Sequence, residues 1–485
     1  MIRLLFRHFG TFIGYSLFGG VVVLVLGFKL RLDEMPELSV WHTAVLDSEF
    51  RAHDAARVRN LDDYRALEER LFAELDAEVY DRVSREEQRA LNRFARGSIA
   101  DPSAQPVDGN RTFELTATDA RGAVLLLHGL SDSPYSMRAL GERLNARGFH
   151  VVGLRLPGHG TAPAGLRDVH WQDFAAAMRL AARDLARRSG GGKPLHIVGY
   201  SMGAALAVEY ALSRAQGEDL PAVTRMVLLS PAIGVSPAAG LAVWQKRAGQ
   251  LLGVGKLAWT EIVPEYDPYK YNSFTANAGE QMHAITRSIA ERLDPAVGSG
   301  APADFPRILA FQSVADATVS TSALIAAYFR SVAPGRHELV LFDVNRHADA
   351  AAMYLPGVAD VRQQLLSGPP LPFDLTIVAN VNEQTERLAA VHRRAASGEV
   401  AEQDMDLAWP NGVFSLSHVA LPFAPDDPVY GSRHPSGRER IYLGAVDARG
   451  ERGVLAASPA NLIRLRHNPF FELMAQQIEL FLLAE

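Results

Sequence analysis

The sequence predicts an α/β class: a doubly wound, mostly parallel sheet with a cap inserted into it. Three observations carry that prediction. Short, wholly apolar runs alternate with single helical patterns from residue 123 onward, which implies parallel pairing through right-handed crossovers. The rhythm breaks after Ile233 and resumes at Arg307, so 236–302 has the place of a cap over a pocket. Finally, "LHIVGYSMGAALAVEYAL" (195–212) sets a serine between glycines where a strand runs into a helix.

The chain's 485 residues exceed one ordinary domain. With 48% hydrophobic and 21% charged residues it is a globular rather than a disordered chain. A formal charge of −6 gives no reason to expect a nucleic-acid partner, and the absence of cysteine excludes disulfides, thiolate chemistry and cysteine-ligated zinc.

Four regions follow one another. Residues 1–31 hold "FGTFIGYSLFGGVVVLVLGF" (Phe9 to Phe28), uncharged throughout and flanked by Arg3, Arg7, Lys29 and Arg31. As a helix it spans about 30 Å, the thickness of a bilayer's hydrocarbon core, and predicts an uncleaved N-terminal transmembrane anchor. The flanking charges nearly balance; a single anchor with its tail inside puts the rest of the chain on the extracytoplasmic side. Residues 32–100 form a charged helical prefix. Its Leu61, Tyr64, Leu67, Leu71, Phe72 and Leu75 share one face, the pattern of an amphipathic packing helix. Residues 101–110, rich in Gly, Pro, Ser and Asp, have a linker's composition, and 111–485 is the main domain.

Within that domain "AVLLLHG" (123–129) is a buried strand. Ser133 and Pro134 open a helix whose apolar face is Met137, Leu140 and Leu144 and which Gly148 stops. "FHVVGLRL" (149–156) is a strand, 169–188 a helix, "LHIVGY" a strand, "MGAALAVEYAL" a helix and "RMVLLSPA" a strand. After the cap come strands at "RILAFQSVAD" (307–316) and "HELVLFDV" (337–344), and a last helix at "NPFFELMAQQIELFL", started by Asn468 and Pro469.

Gly-x-Ser-x-Gly alone is a weak signal; between a strand and a helix it describes a tight elbow that presents Ser201 as a nucleophile. Such a nucleophile needs backbone N–H donors for the developing oxyanion. Met202 supplies one, and the loop after "LLLHG" supplies the other, most simply at Leu130. His128 is a structural residue of its turn, and His159 of "LRLPGHGTAP" is as well suited to loop packing as to chemistry.

Together "LLLHG", "LRLPGHG" and "GYSMG", in this order and spacing, resemble the α/β-hydrolase superfamily. Within it they are similar to the monoacylglycerol lipase, lysophospholipase and serine aminopeptidase group. The resemblance covers 111–345 well and the C-terminal part more loosely. It implies a Ser-acid-His triad in that chain order, with the acid after the strand that follows the cap. That acid is Asp316, although Ser313 replaces the glycine of the family's turn. Two histidines compete for the base. His347 lies just past the next strand, where the family usually has it, but it follows Asp343, Asn345 and Arg346 at a solvated junction, and Arg346 opposes an imidazolium. His418 lies in a sheltered, apolar extended run with Ser415 and Ser417, and is preferred as the base, with His347 as the alternative. The resemblance implies a membrane-anchored serine hydrolase of acyl esters, with an amidase or peptidase of the serine aminopeptidase type as the alternative activity. The short Gly129-Leu130 loop, which lacks an HGGG-type glycine run, the apolar cap and the predicted anchor point to lipid-like or amphiphilic esters such as monoacylglycerols. A non-catalytic, membrane-tethered binding module is the alternative from another class. No metal or organic cofactor is called for, and the oligomeric state is left open.

Overall fold

The computed structural model describes residues 33–484, with Gly19 and Gly20, except 90, 191, 234–253, 294–304, 317, 320, 327–336, 348–353, 355–359, 396, 434–439 and 445–463. The expected membrane span, Phe9–Phe28, lies outside the described residues apart from those two glycines, as do both ends of the expected cap. Among the described residues no helix is long and apolar enough to cross a membrane.

The strands are β1 (Phe113–Leu115), β2 (Ala123–Leu127), β3 (His150–Leu154), β4 (Leu195–Tyr200), β5 (Val223–Leu229), β6 (Trp259–Glu261), β7 (Phe274–Thr275), β8 (Arg307–Ser313), β9 (His337–Phe342), β10 (Asp374–Asn380), β11 (Arg387–Arg393) and β12 (Val400–Ala408). Ten of them form one sheet in the order β1-β3-β2-β4-β5-β8-β9-β10-β11-β12. From β3 to β10 the neighbours are parallel. Antiparallel β1 closes one edge, and the antiparallel pair β11 and β12 extends the other. β6 and β7 pair separately in the cap region.

The longer helices are α1 (Leu61–Glu78), α2 (Arg138–Ala146), α3 (Trp171–Arg188), α4 (Met202–Ala215), α5 (Ala276–Leu293), α6 (Asp360–Ser367) and α7 (Phe471–Leu483). Helices cover both faces of the sheet, so its central strands are apolar on both sides. Along β2, Ala123, Leu125 and Leu127 enter the core shared with α3, α4 and α5, while Val124 and Leu126 enter the core shared with α2 and α7. That alternation is why the run reads as continuously apolar.

The strands and helices expected between 123 and 342 are all present. β1 and β10–β12 are additions to that reading. The charged run "VAEQDMDLA" of β12 is an edge strand exposed along most of its length, and it lacks an apolar alternation to betray it.

The prefix packs against the sheet domain. Helix α1 starts at Asn60, whose side chain accepts the Asp63 N–H, and it buries Leu61, Tyr64, Glu68, Leu71 and Leu75 at three- and four-residue steps. Glu68 on that apolar face is the exception, and Arg155 explains it. The Arg155 side chain has 0% exposure. Its Nε bonds Glu68 at 2.8 Å, and its two Nη atoms bond Glu49 at 3.0 and 3.1 Å. Burial pushes the Glu68 carboxyl up, and the Arg155 charge and the Thr112 hydrogen bonds oppose that. The segment 101–110 is packed as well: Tyr135 N–H donates to Gly109 O at 2.9 Å, and a Cβ on Gly109 would lie 2.6 Å from the Tyr135 ring.

Two predictions follow from these buried charges and rings. Arg155→Met strands two carboxylates in the core and lowers stability by about 3–5 kcal/mol in urea denaturation. Adding Glu49→Gln and Glu68→Gln recovers most of that loss. A single variant as stable as wild type would contradict the assignment. His42 and His196 are held down to about 4, chiefly by burial. The unfolded chain binds these protons more readily, so their contribution is complete above pH ~6.5 and is lost as pH falls towards 4. Melting temperatures from pH 7 to pH 4 should fall accordingly. His196→Leu, which replaces a ring whose nitrogens find no partner among the described residues, should flatten that decline.

Candidate active site

The sheet reverses its direction of growth between β2 and β4: β3 lies on one side of β2, and β4 and β5 on the other. Chain ends diverge at such a point and leave a crevice at the carboxyl edge. Ser201 stands there, between β4 and α4, with φ 53° and ψ −112°. A non-glycine residue in this left-handed region is strained. The elbow is fastened by Ser201 N–H to Leu229 O at 2.8 Å and Ala232 N–H to Ser201 O at 3.1 Å. The flanking glycines are there for space. A Cβ on Gly199 would lie 2.4 Å from Gly203 O, and one on Gly203 would lie 2.3 Å from Leu127 O.

His418 opens a single 3-10 turn, His418–Ala420, rather than standing in an extended run. Its Nε2 is 3.0 Å from Ser201 Oγ and its Nδ1 is 2.8 Å from Asp316 Oδ2. The turn is seated by Tyr200 Oη, which donates to His418 O at 3.3 Å, and by Ser417 Oγ, which donates to Leu465 O. Asn468, before α7, accepts from Phe470 N–H and donates to Leu421 O, so the start of the last helix holds the loop that carries His418.

Asp316 lies just beyond β8. Its Oδ1 accepts from Thr318 and Val319 N–H at 2.8 and 2.9 Å, and its Oδ2 also accepts from Gln312 Nε2 at 3.1 Å. Burial alone would raise this carboxyl, but His418 and these donors outweigh it and hold it below the ordinary aspartate value. The structure therefore brings Ser201, His418 and Asp316 together. His347 sits at the exit of β9, its amide donating to Asn345 Oδ1 at 3.3 Å beside the Arg346–Asp343 ion pair.

Met202 opens α4, so its N–H belongs to the unpaired first turn of a helix whose positive end faces Ser201. Leu130 lies in the loop after β2. His128 Nε2 accepts from Leu156 N–H at 3.1 Å, so Nδ1 carries the ring proton and donates to Gly129 O at 2.9 Å. That carbonyl belongs to the peptide unit whose N–H is Leu130's, and the bond polarises it. Both ring nitrogens of buried His159 face carbonyls, Leu130 O at 2.7 Å and Pro157 O at 2.9 Å. Sequence reasoning placed both histidines in turns and loops. It missed Gln312, near the end of β8 and four residues before Asp316, and it missed the cap residues Lys270 and Tyr271. Lys270 Nζ pairs with Asp132 Oδ1 at 2.9 Å, and Tyr271 N–H donates to Ser131 O at 2.8 Å. Nothing in an aromatic, non-periodic run such as "EYDPYKYNS" announces these contacts.

Chemically, a buried carboxylate bonded to an imidazole that is bonded in turn to a hydroxyl is a device for taking the hydroxyl proton. Among the described residues no group of three or more His, Cys, Asp or Glu side chains is arranged to hold a metal ion.

Residues 118–348 match the family model described as serine aminopeptidase, S33. A thermostable monoacylglycerol lipase from Bacillus sp. (strain H-257) is 30% identical over 112 residues, which are 23% of this chain and 41% of the relative. The chain thus spans less than half of that relative's length. Solved structures that align include a metagenome-derived lipolytic enzyme, 24% identical, TM-score 0.38, over 49% of this chain and 89% of that one. A monoacylglycerol lipase from Paleococcus ferrophilus is 19% identical, TM-score 0.36, over 48% and 87%. A soluble variant of monoglyceride lipase from Saccharomyces cerevisiae is 15% identical, TM-score 0.38, over 47% and 81%.

The elbow geometry yields its own prediction. Gly203→Ala forces a methyl against the β2 backbone and should cost about 1–3 kcal/mol in chemical denaturation, whereas Ala204→Gly, one residue on, should cost about 1 kcal/mol or less.

Proposed function

We propose that this chain, whose residues 118–348 match the serine aminopeptidase, S33 model and which is similar to a monoacylglycerol lipase, is a serine hydrolase of acyl esters on an α/β-hydrolase fold. The observation that carries the reading is the run of hydrogen bonds from Asp316 through His418 to Ser201 on a strained elbow. In this proposal His418 Nε2 takes the proton as Ser201 Oγ attacks the acyl carbonyl. The N–H groups of Leu130 and Met202 receive the oxyanion, and Asp316 orients the ring and stabilises its charged form. The protonated His418 then gives its proton to the departing alcohol, and water, activated by the same ring, releases the acyl group.

Lipid-like or amphiphilic esters are the proposed substrates. The uncharged stretch Phe9–Phe28 is proposed as a membrane anchor with the catalytic domain on the extracytoplasmic side, which would put such esters within reach. The relative from Bacillus, a monoacylglycerol lipase, supports the same choice. The serine aminopeptidase description of the matching family favours a second reading, hydrolysis of amides by the same residues.

A fluorophosphonate, read by intact mass, tests the proposal. Detergent-solubilised wild type should gain one adduct and Ser201→Ala none. His418→Ala should slow labelling by about 10³-fold or more, and His347→Ala should leave it within about threefold. No adduct on folded wild type would overturn the proposal in favour of a binding module. Matched ester and amide substrates of graded acyl length then separate the two activities.

A further inference from the structure

We propose that the N-terminal prefix is part of the catalytic apparatus, its Glu49, Glu68 and Arg93 acting as positioning residues for the loop 129–132 that carries the Leu130 oxyanion donor. The inference rests on the serine-hydrolase reading above, and it concerns residues outside the 118–348 segment that matches the family.

Two chains of contact run from the prefix to that loop, and they are joined where Tyr271 Oη donates to Gly158 O at 3.0 Å. The first passes through Arg155. Glu49 and Glu68 occupy Nε and both Nη atoms of its guanidinium, and Nη1 also donates to His159 O at 3.1 Å. His159, fixed in this way, meets Leu130 O with its Nε2 at 2.7 Å. Its other nitrogen faces Pro157 O at 2.9 Å, so the ring is held between the two carbonyls. The second chain passes through the cap. Arg93 N–H donates to Glu265 O at 2.7 Å and Arg93 Nη1 to Lys270 O at 3.4 Å, with the guanidinium 5.7 Å from the Tyr271 ring centroid. Lys270 and Tyr271, so placed, hold Asp132 Oδ1 and Ser131 O.

The carbonyls of residues 130 and 131 and the side chain of 132 each meet a partner, and both chains of contact lead back to the prefix. An oxyanion donor contributes only if it is held in place to about 0.5 Å before the charge develops. A four-residue loop with one internal backbone bond, Asp132 N–H to Gly129 O at 3.2 Å, needs such outside contacts to be held that well. Arg155 also makes the prefix obligatory: without Glu49 and Glu68 it would be a fully buried cation short of its two counter-charges, and its strand end could not keep its present course.

The experiment uses the full-length protein. Arg93→Met keeps bulk but removes the donor to Lys270 O; Glu49→Gln is isosteric and still accepts from Arg155; Lys270→Met breaks the last link of the cap route. For each, the second-order fluorophosphonate rate at Ser201, kcat and KM for a short-chain ester per labelled site, and the melting temperature are measured. The expected result is a fall of about tenfold or more in labelling rate and kcat for Arg93→Met and Lys270→Met, with KM within about threefold. A smaller fall is expected for Glu49→Gln, and Lys270→Arg should restore most of the rate. Variants that melt earlier yet react at the wild-type rate per folded site would overturn the inference and leave the prefix a stabilising element only. An unlabelled wild type would instead overturn the serine-hydrolase reading, and this inference with it. Should Arg93→Met not fold, Glu49→Gln and Arg93→Lys carry the same comparison.

Discussion

The buried guanidinium of Arg155 is the constraint on which the rest of the structure depends. A cation with no solvent contact is tenable only where each of its donors meets an acceptor and its charge is matched. Here the matching carboxylates come from the prefix and the cation from the end of β3, while Tyr64 Oη seals the Arg155 carbonyl at 2.8 Å. The polar residue on the apolar face of α1 therefore fixes where the helix docks. Apolar contacts alone would tolerate sliding by a turn; a two-carboxylate clamp on one arginine does not. The prefix is joined to the sheet domain through the loops that surround Ser201 and along α3, where Leu61 N–H meets Asp184 at 3.2 Å and Asp62 meets Arg188 at 2.8 Å.

Strain and support balance around that serine. Its left-handed backbone is kept by hydrogen bonds to β5 and by two glycines that leave no room for a methyl group. The loop after β2, the start of α4 and the His418 turn converge on it from distant parts of the chain. His418 lies 102 residues after Asp316 and 217 after Ser201. Between His347 and His418 the chain adds β10 to the sheet in parallel and then folds back through β11 and β12. Those three strands carry the histidine from the exit of β9 to a turn anchored on the start of α7.

Much of this was legible in the residues themselves. The β2, β4, β5, β8 and β9 runs are apolar on both faces because helices cover both faces, and that burial leaves an unmistakable mark in sequence. The elbow was legible because steric need writes glycine at fixed positions. The choice between the two histidines followed from their neighbours: Arg346 and Asp343 form an ion pair beside His347, and apolar residues enclose His418. The antiparallel extension was not legible, because β12 is a solvent-facing edge strand whose acidic side chains leave no periodic signature. The composition of 101–110 promised a linker, whereas Gly109 and Asn110 are packed against the Tyr135 loop and the cap, contacts that depend on residues far away in the chain.

The sequence by itself determined the parallel sheet, the elbow with its serine and the amphipathic prefix helix, since each depends on local sterics or on a short-range repeat of apolar residues. Tertiary structure alone decided where the prefix docks and which groups the loop beside the elbow meets. Those outcomes rest on Arg155 meeting Glu49 and Glu68, on Arg93 reaching the cap, and on His159 meeting Leu130. Pairings of this kind are set by long-range geometry, and no single residue's neighbours in the chain encode them.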